Sequence, residues 1–114
     1  MMENKWEDFN RLLIGYRCFV GNVERGYTLC ISEYINDLNT RDLLEEYREE
    51  GKAISDEDNE TIADLDVRLQ RMLRATLRPV WSIEPIQWWH RGLPFNAGDE
   101  LRNDATSLGY WEKD

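Results

Sequence analysis

The sequence predicts an all-α or mostly α fold: one compact helical bundle over residues 1–114, with an irregular Trp-rich C-terminal segment (residues 80–100). A chain of 114 residues favours a single domain. Apolar residues recur every three or four positions in the long stretches before Pro79, which is the period of an amphipathic helix. That period is lost after Pro79, and no linker rich in Pro, Gly or Ser divides the chain.

The first helix is predicted over residues 5–20 and ends at Gly21-Asn22, two residues that tolerate the left-handed conformation of a helix end. A short extended piece follows. The pattern of residues 32–50 predicts two short helices with a break between them. Ser32 is expected to cap the first helix, and Gly51 is expected to end the second. The side chains expected to face the core are Trp6, Phe9, Leu13, Tyr16, Val20, Ile35, Leu38, Leu43, Leu44 and Tyr47.

The longest helix is predicted over residues 55–77. Ser55 is suited to cap its first turn, and Pro79 stops it because the residue before a proline avoids the helical region. A last short helix is predicted after Gly98. The apolar positions expected to be buried in these two helices are Ile62, Leu65, Leu69, Met72, Leu73, Leu77, Leu101, Ala105 and Leu108.

Cys18 and Cys30 lie among apolar neighbours and are predicted to be free, buried thiols. Two Cys and one His cannot assemble a zinc site, so we expect no cofactor. The first ten residues lack the basic start and apolar run of a signal peptide. No stretch approaches the roughly 20 apolar residues of a membrane span. We therefore expect a cytoplasmic protein with no membrane partner.

Acidic residues dominate the chain between Asp42 and Asp64. The net charge of −9 argues against direct binding to nucleic-acid phosphates. This stretch holds ten carboxylates against Arg48 and Lys52, on helices whose short connection favours antiparallel neighbours. The acids either form a solvated surface matched to the helix dipoles or dock a protein with a basic surface. In the second case the contact residues are Glu45, Glu46, Glu49, Glu50, Asp56, Glu57, Asp58 and Glu60.

The stretch PIQWWHRGLP, residues 85–94, holds two adjacent Trp residues and the single His of the chain. Adjacent side chains point in different directions, so we expect one Trp in the core and the other near the surface. The stretch either closes the core over the longest helix or presents an exposed aromatic ring to a partner. Arg91 can stack on an exposed ring or pair with an acid of residues 45–50. The candidate anchors for a partner are Trp88, Trp89, Arg91 and Tyr47.

Sequence features of enzymes are sparse. Neither phosphate-binding glycine motif is present, and DEDNETIADLDV lacks the glycine that a calcium-binding loop needs at its turn. His90 with Cys18 or Cys30 can in principle form a base and a nucleophile, although no nucleophile motif surrounds either Cys. We expect no catalytic residue, no metal and no small-molecule substrate. A metal- or His-dependent hydrolase is the alternative from the class of enzymes.

Three stretches, GYTLCISEYINDLNTRDLLEEY, LDVRLQRMLR and WWHRGLP, occur in an order that resembles immunity proteins of bacterial contact-dependent growth inhibition systems. The similarity covers residues 26–101. The resemblance implies a helical protein without enzymatic activity that binds and neutralises the toxic C-terminal domain of a partner, often a nuclease. Asn36, Asp37, Arg41 and Asp42 match the family pattern, either as a structural capping network or as a binding site.

We therefore expect an immunity protein that covers the basic active-site or substrate surface of its cognate toxin domain. An acidic inhibitor can occupy the cleft in which a nuclease binds phosphates, and opposite charges speed the encounter. The alternative from another class is a small regulatory or adaptor protein that binds a different cellular protein.

Overall fold

Helices make up most of the described structure. The computed structural model describes residues 5–51, 53–81 and 84–112, with side chains from Phe9 onward. This part of the chain contains α1 (Lys5–Arg25), α2 (Ile31–Glu49), α3 (Asp56–Met72) and α4 (Asp99–Ser107), with two short strands, β1 (Leu73–Ala75) and β2 (Gly92–Pro94). The mostly α prediction is confirmed. None of the described helices combines the length and the apolar character needed to cross a membrane.

The α1 helix packs against both α2 and α3. It continues to Arg25, beyond the predicted end at Gly21-Asn22, because Val23 extends the apolar stripe and is fully buried. Gly26 then ends the helix with a φ of +100°, a left-handed conformation that favours glycine. The side chain of Trp6, predicted on the same stripe, lies outside the described residues.

The α2 helix is continuous, so the prediction of two short helices is wrong. Leu38, Arg41 and Leu44 are buried at three-residue spacing, and this inward face continues through the predicted break. Leu43, predicted to face inward, is 40% exposed because the buried face passes through Leu44 instead. The predicted end at Gly51 is confirmed by its φ of +74°.

The N-terminus of α2 is held by another helix. The helix begins at Ile31 after the N-cap residue Cys30, so Ser32 lies inside the first turn and not at the predicted cap. Asp104 of α4 accepts a hydrogen bond from the Ile31 backbone N–H at 3.0 Å. A side chain distant in the sequence therefore satisfies an N–H group that the helix itself leaves without a partner.

The α3 helix begins where the sequence predicts. The Ser55 hydroxyl accepts a hydrogen bond from the Asp58 backbone N–H at 3.1 Å, which confirms the predicted cap. The helix ends at Met72, short of the predicted end at Leu77, because the next three residues adopt extended backbone as β1. Leu77, predicted on the buried stripe, is consequently 65% exposed.

An antiparallel strand pair replaces the last turn that was predicted for α3. Leu73 pairs with Pro94, and Ala75 pairs with Gly92. A Cβ at Gly92 would lie 3.0 Å from the Leu73 Cβ and 3.2 Å from the Arg74 carbonyl oxygen, so the close approach of the strands requires glycine. This pairing attaches the Trp-rich segment to the end of α3.

The burial of several individual side chains differs from the burial that their sequence neighbours predict. Leu101 and Ala105 of α4 are buried as predicted, but Leu108 is 48% exposed because the helix ends before it. Both cysteines are free, yet the prediction that both are buried is wrong: Cys18 is exposed and Cys30 is partly exposed. Apolar neighbours along a helix occupy different faces, so they do not bury the residue between them.

The core is rich in aromatic rings. Phe19, Tyr27 and Tyr34 contact one another edge to face. The Tyr27 hydroxyl donates a hydrogen bond to Asp37 at 2.5 Å. Burial raises the pKa of Tyr27, and the neighbouring carboxylate of Asp37 raises it further. Asp37 therefore serves as the partner that an enclosed phenol hydroxyl needs.

Candidate functional site

An open groove of about 360 Å³ lies between α2 and the Trp-rich segment. Two Trp residues, Trp81 and Trp89, line it, and its described lining contains no lysine or arginine. Its five carboxylate residues are Asp42, Glu45, Glu46 and Glu49 of α2 and Glu84 of the Trp-rich segment. This site is termed the acidic groove.

The helical period explains why α2 supplies most of these acids. Asp42, Glu45, Glu46 and Glu49 are separated by three or four residues or lie side by side, so they share one side of the helix. Asp42 and Glu45 are partly buried, whereas Glu46 and Glu49 are exposed. The two acids nearer the start of this series are therefore partly covered by the fold, and the two nearer the end of α2 are in contact with solvent.

Asp42 is fixed by two buried donors from the Trp-rich segment. Its Oδ1 accepts a hydrogen bond from the Trp89 Nε1–H at 2.9 Å and lies 2.6 Å from the His90 Nε2. The His90 Nδ1 accepts a hydrogen bond from the Gln87 backbone N–H at 3.0 Å. Because Nδ1 acts as an acceptor, the neutral ring carries its proton on Nε2 and donates it to Asp42. Both ring nitrogens therefore hold the Trp-rich segment in place.

Arg41 connects α2, α3 and the Trp-rich segment beneath the groove. Its side chain is buried, and it donates hydrogen bonds to both carboxylate oxygens of Asp66 at 2.9 Å and to Glu45 at 3.0 Å. The guanidinium carbon lies 4.1 Å from the centre of the Trp89 ring. The arginine therefore fixes one acid and one indole of the groove at the same time.

Arg41 keeps its positive charge although its side chain is buried. Burial lowers the pKa of Arg41, but the hydrogen bonds and the charge of Asp66 outweigh that effect, so the pKa is raised overall. The Tyr16 hydroxyl donates to Asp66 at 2.6 Å, and burial followed by the charge of Asp66 raises the pKa of Tyr16. The guanidinium and the phenol both keep their protons at neutral pH, which suits a structural role.

The predicted contact acids near the end of α2 differ in their exposure. Glu45 is bound by Arg41 at 3.0 Å and approached by Arg48 at 3.6 Å, so it forms ion pairs within the chain. Glu46 and Glu49 are exposed on α2, and Glu50, the C-cap residue of that helix, is exposed as well.

On α3, Asp56, Glu57 and Glu60 are exposed and Asp58 is partly buried. Glu57 and Glu60 line a second, shallow depression together with Arg17 and Arg68. The acidic stretch of the sequence therefore contributes to two surfaces, of which only the acidic groove has no lysine or arginine in its described lining.

The predicted anchors also occupy different environments. Trp89 is buried and Trp88 is partly buried, which confirms that the two adjacent side chains point differently. Tyr47 packs on Phe9, with ring centroids 5.0 Å apart, so part of its surface is already used by the core. Arg91 is exposed and lines a shallow depression with Trp88, away from the acidic groove.

Sequence reasoning named Arg41, Asp42, Trp89 and His90 but did not predict the contacts by which they organise the groove. Arg41 lies midway between the buried Leu38 and Leu44, and this spacing could have identified it as a buried charge. The pairing of Asp42 with His90 joins residues 48 positions apart and leaves no local pattern. Trp81 and Glu84 lie in an aperiodic region, where sequence gives no guide to direction.

Replacing Asp42 with alanine should lower the free energy of unfolding by about 1–3 kcal/mol, because two buried N–H groups lose their acceptor. Thermal or denaturant unfolding measures this. Asp42→Asn keeps a side-chain oxygen and should be milder. Asp64→Ala is the matched control, since that side chain is 70% exposed, and it should change stability by less than about 0.5 kcal/mol. Equal stability of the Asp42 and Asp64 variants would contradict a structural role for the contacts of Asp42.

Comparison of the chain with protein-family models, with curated proteins and with solved structures finds no match.

Proposed function

We propose that this chain is an immunity protein that binds a cognate toxin domain through a basic surface of the toxin and thereby blocks the toxin's active or substrate site. The observation that carries the proposal is the acidic groove, which brings five carboxylates and two Trp residues together with no lysine or arginine in its described lining. A protein surface of this kind complements a cluster of lysine and arginine side chains.

The charge distribution supports binding to a cationic protein. Like charges placed close together repel one another and destabilise the folded chain. Glu46 and Glu49 of the groove are exposed, and an excess of acids over bases of nine gives the whole molecule a negative field. Such a field speeds the approach of a positively charged partner, and it disfavours contact with nucleic acid.

The contacts of His90 also support a binding function over hydrolysis. A catalytic base needs a ring nitrogen that can reach a substrate. In this protein the buried His90 ring uses one nitrogen for Asp42 and the other for the Gln87 backbone. Replacing His90 would therefore disturb folding in any functional class, so such a variant does not discriminate an inhibitor from an enzyme.

The residues that carry the resemblance to immunity proteins make contacts within the fold. Three of the residues that match the family pattern have partners inside the chain: Asp37 accepts from Tyr27, Arg41 binds Asp66, and Asp42 accepts from Trp89. These contacts favour the interpretation of the matching residues as a structural network. The binding surface is then formed by other, more exposed positions.

The proposal is tested by co-expressing the chain with the C-terminal domain of the polypeptide encoded immediately upstream. We expect the two to co-purify and the chain to restore the growth of cells that produce the toxin domain. Co-purification without growth rescue would favour the adaptor alternative. Toxicity that persists with no complex formed, or turnover of a substrate by the purified chain alone, would contradict the proposed function.

A further inference from the structure

We propose that the acidic groove binds the guanidinium group of an arginine side chain, presented by a loop of the partner. The identity of that partner rests on the proposed function, whereas the chemistry of the groove does not. The proposal follows from the cavity, the two Trp residues in its wall and the arrangement of the carboxylates around them.

The arrangement of the carboxylates favours an organic cation over a metal ion. Within residues 5–51, 53–81 and 84–112, no three side chains of His, Cys, Asp or Glu come close enough to hold a metal ion. The carboxylates are instead distributed along α2 and on the facing Glu84. Acids that are spread around a cavity suit a cation whose charge is delocalised over several N–H donors.

The Trp residues distinguish arginine from lysine. A guanidinium group is planar, is weakly hydrated and stacks on aromatic rings, while it donates paired hydrogen bonds to carboxylates. An ammonium group is a compact and strongly hydrated charge, so it gains less from an indole wall. Trp81 is partly exposed and lines the same cavity as the acids, which gives arginine both of its preferred contacts, while the buried Trp89 forms a fixed part of the wall.

The chain already uses this mode of recognition internally. Arg41 lies 4.1 Å from the centre of the Trp89 ring while it binds Glu45, and both of these residues also line the groove. Arg78 lies 4.2 Å from the centre of the Tyr110 ring and Arg74 lies 4.8 Å from that of Trp111. In the groove the partly exposed ring is Trp81, which lies with the exposed Glu46 and Glu49, whereas Trp89 is 2% exposed and already carries Arg41.

The fixed inner wall prepares the groove for such a ligand. Trp89 and Asp42 are held in place by Arg41 and His90, so their positions are set before a ligand enters. A cavity of about 360 Å³ is large enough for one side chain and its neighbouring backbone. The inner wall therefore needs little ordering when a ligand binds, which favours affinity, and ordering is required only of exposed side chains such as Glu46 and Glu49.

The experiment is a nuclear magnetic resonance titration of the full chain with N-acetylarginine amide, followed at the Trp indole N–H signals. N-acetylcitrulline amide, which has the same shape without the charge, and N-acetyllysine amide serve as comparison ligands at equal ionic strength. We expect the signals of Trp81 and Trp89 to shift with the arginine compound. The lysine compound should bind more weakly, and the citrulline compound should produce no comparable shift.

Glu46→Gln/Glu49→Gln/Glu84→Gln should weaken binding of the arginine compound by about tenfold or more, because the charge-assisted hydrogen bonds are lost. The control Glu57→Gln/Glu60→Gln/Asp64→Asn removes as many charges from exposed positions outside the groove and should bind normally. All six residues are exposed, so the variants should fold, which unchanged signals of Trp88 and Trp111, two residues outside the groove, will verify.

Equal effects of the two triple variants, or equal shifts with arginine and citrulline compounds, would overturn the arginine site. The titration and the co-expression experiment can fail independently, because the titration measures binding of an arginine side chain and the co-expression measures formation of a toxin complex. An arginine site without a toxin complex would retain the inference and reject immunity. A toxin complex without an arginine site would retain immunity and place the contact elsewhere.

Discussion

Replacing Arg41 with methionine should lower the free energy of unfolding by about 3 kcal/mol, because removal of one partner leaves buried charge without compensation. Arg41 is 2% exposed, and its guanidinium binds Asp66 through two hydrogen bonds and Glu45 through a third. Methionine preserves much of the side-chain length, so the loss reports on the polar contacts more than on a cavity. Denaturant unfolding followed by Trp fluorescence measures the change.

Arg48→Met is the matched control for Arg41→Met. Arg48 lies on the same helix, is exposed and approaches the same Glu45 at 3.6 Å. An exposed ion pair contributes little, so this variant should change stability by less than about 1 kcal/mol. Arg41→Lys should fall between the two, because an ammonium group cannot form the paired contact with Asp66. Similar losses for the variants at Arg41 and Arg48 would show that burial of the guanidinium is unimportant.

The predictable part of this fold is the part governed by local periodicity. Ser55 and Gly51 mark helix ends correctly because capping and left-handed backbone depend on the residue itself. The inward faces of α1, α3 and α4 follow from the spacing of apolar residues. The prediction fails at α2, where the buried residue between Leu38 and Leu44 is Arg41. Because the prediction relies on apolar residues, it does not recognise that the inward face of one helix continues through this charged residue.

The candidate site depends more on contacts between distant residues. The sequence identified the acids of α2 and the importance of the two adjacent Trp residues, but it did not predict that these residues lie close together in the fold. Their meeting depends on Asp42, which binds both Trp89 and His90, and on the strand pair that places Gly92 opposite Ala75. The single strand of three residues at the end of α3 has no alternating pattern long enough to be recognised.

Reversing four exposed acids together, as Glu46→Lys/Glu49→Lys/Asp56→Lys/Glu57→Lys, should slow association with the toxin domain by about 10- to 100-fold at low salt. These residues lie at the end of α2 and the start of α3, and all four are exposed. The substitutions convert attraction into repulsion during the approach of a basic surface. The dependence of the association rate on salt should flatten or change sign, as measured by stopped-flow kinetics.

A second fourfold variant separates local from global charge. Glu33, Asp99, Glu100 and Glu112 are also exposed, and changing them to lysine alters the net charge by the same amount. If the toxin binds at the end of α2 and the start of α3, this control should slow association much less when both variants are compared at about 0.1 M salt, because screening then limits an exposed charge to about 10 Å. Equal slowing by both variants would assign the effect to net charge alone. Normal association of the first variant would place the contact on another face, since steering acts on the charges nearest to the point of encounter.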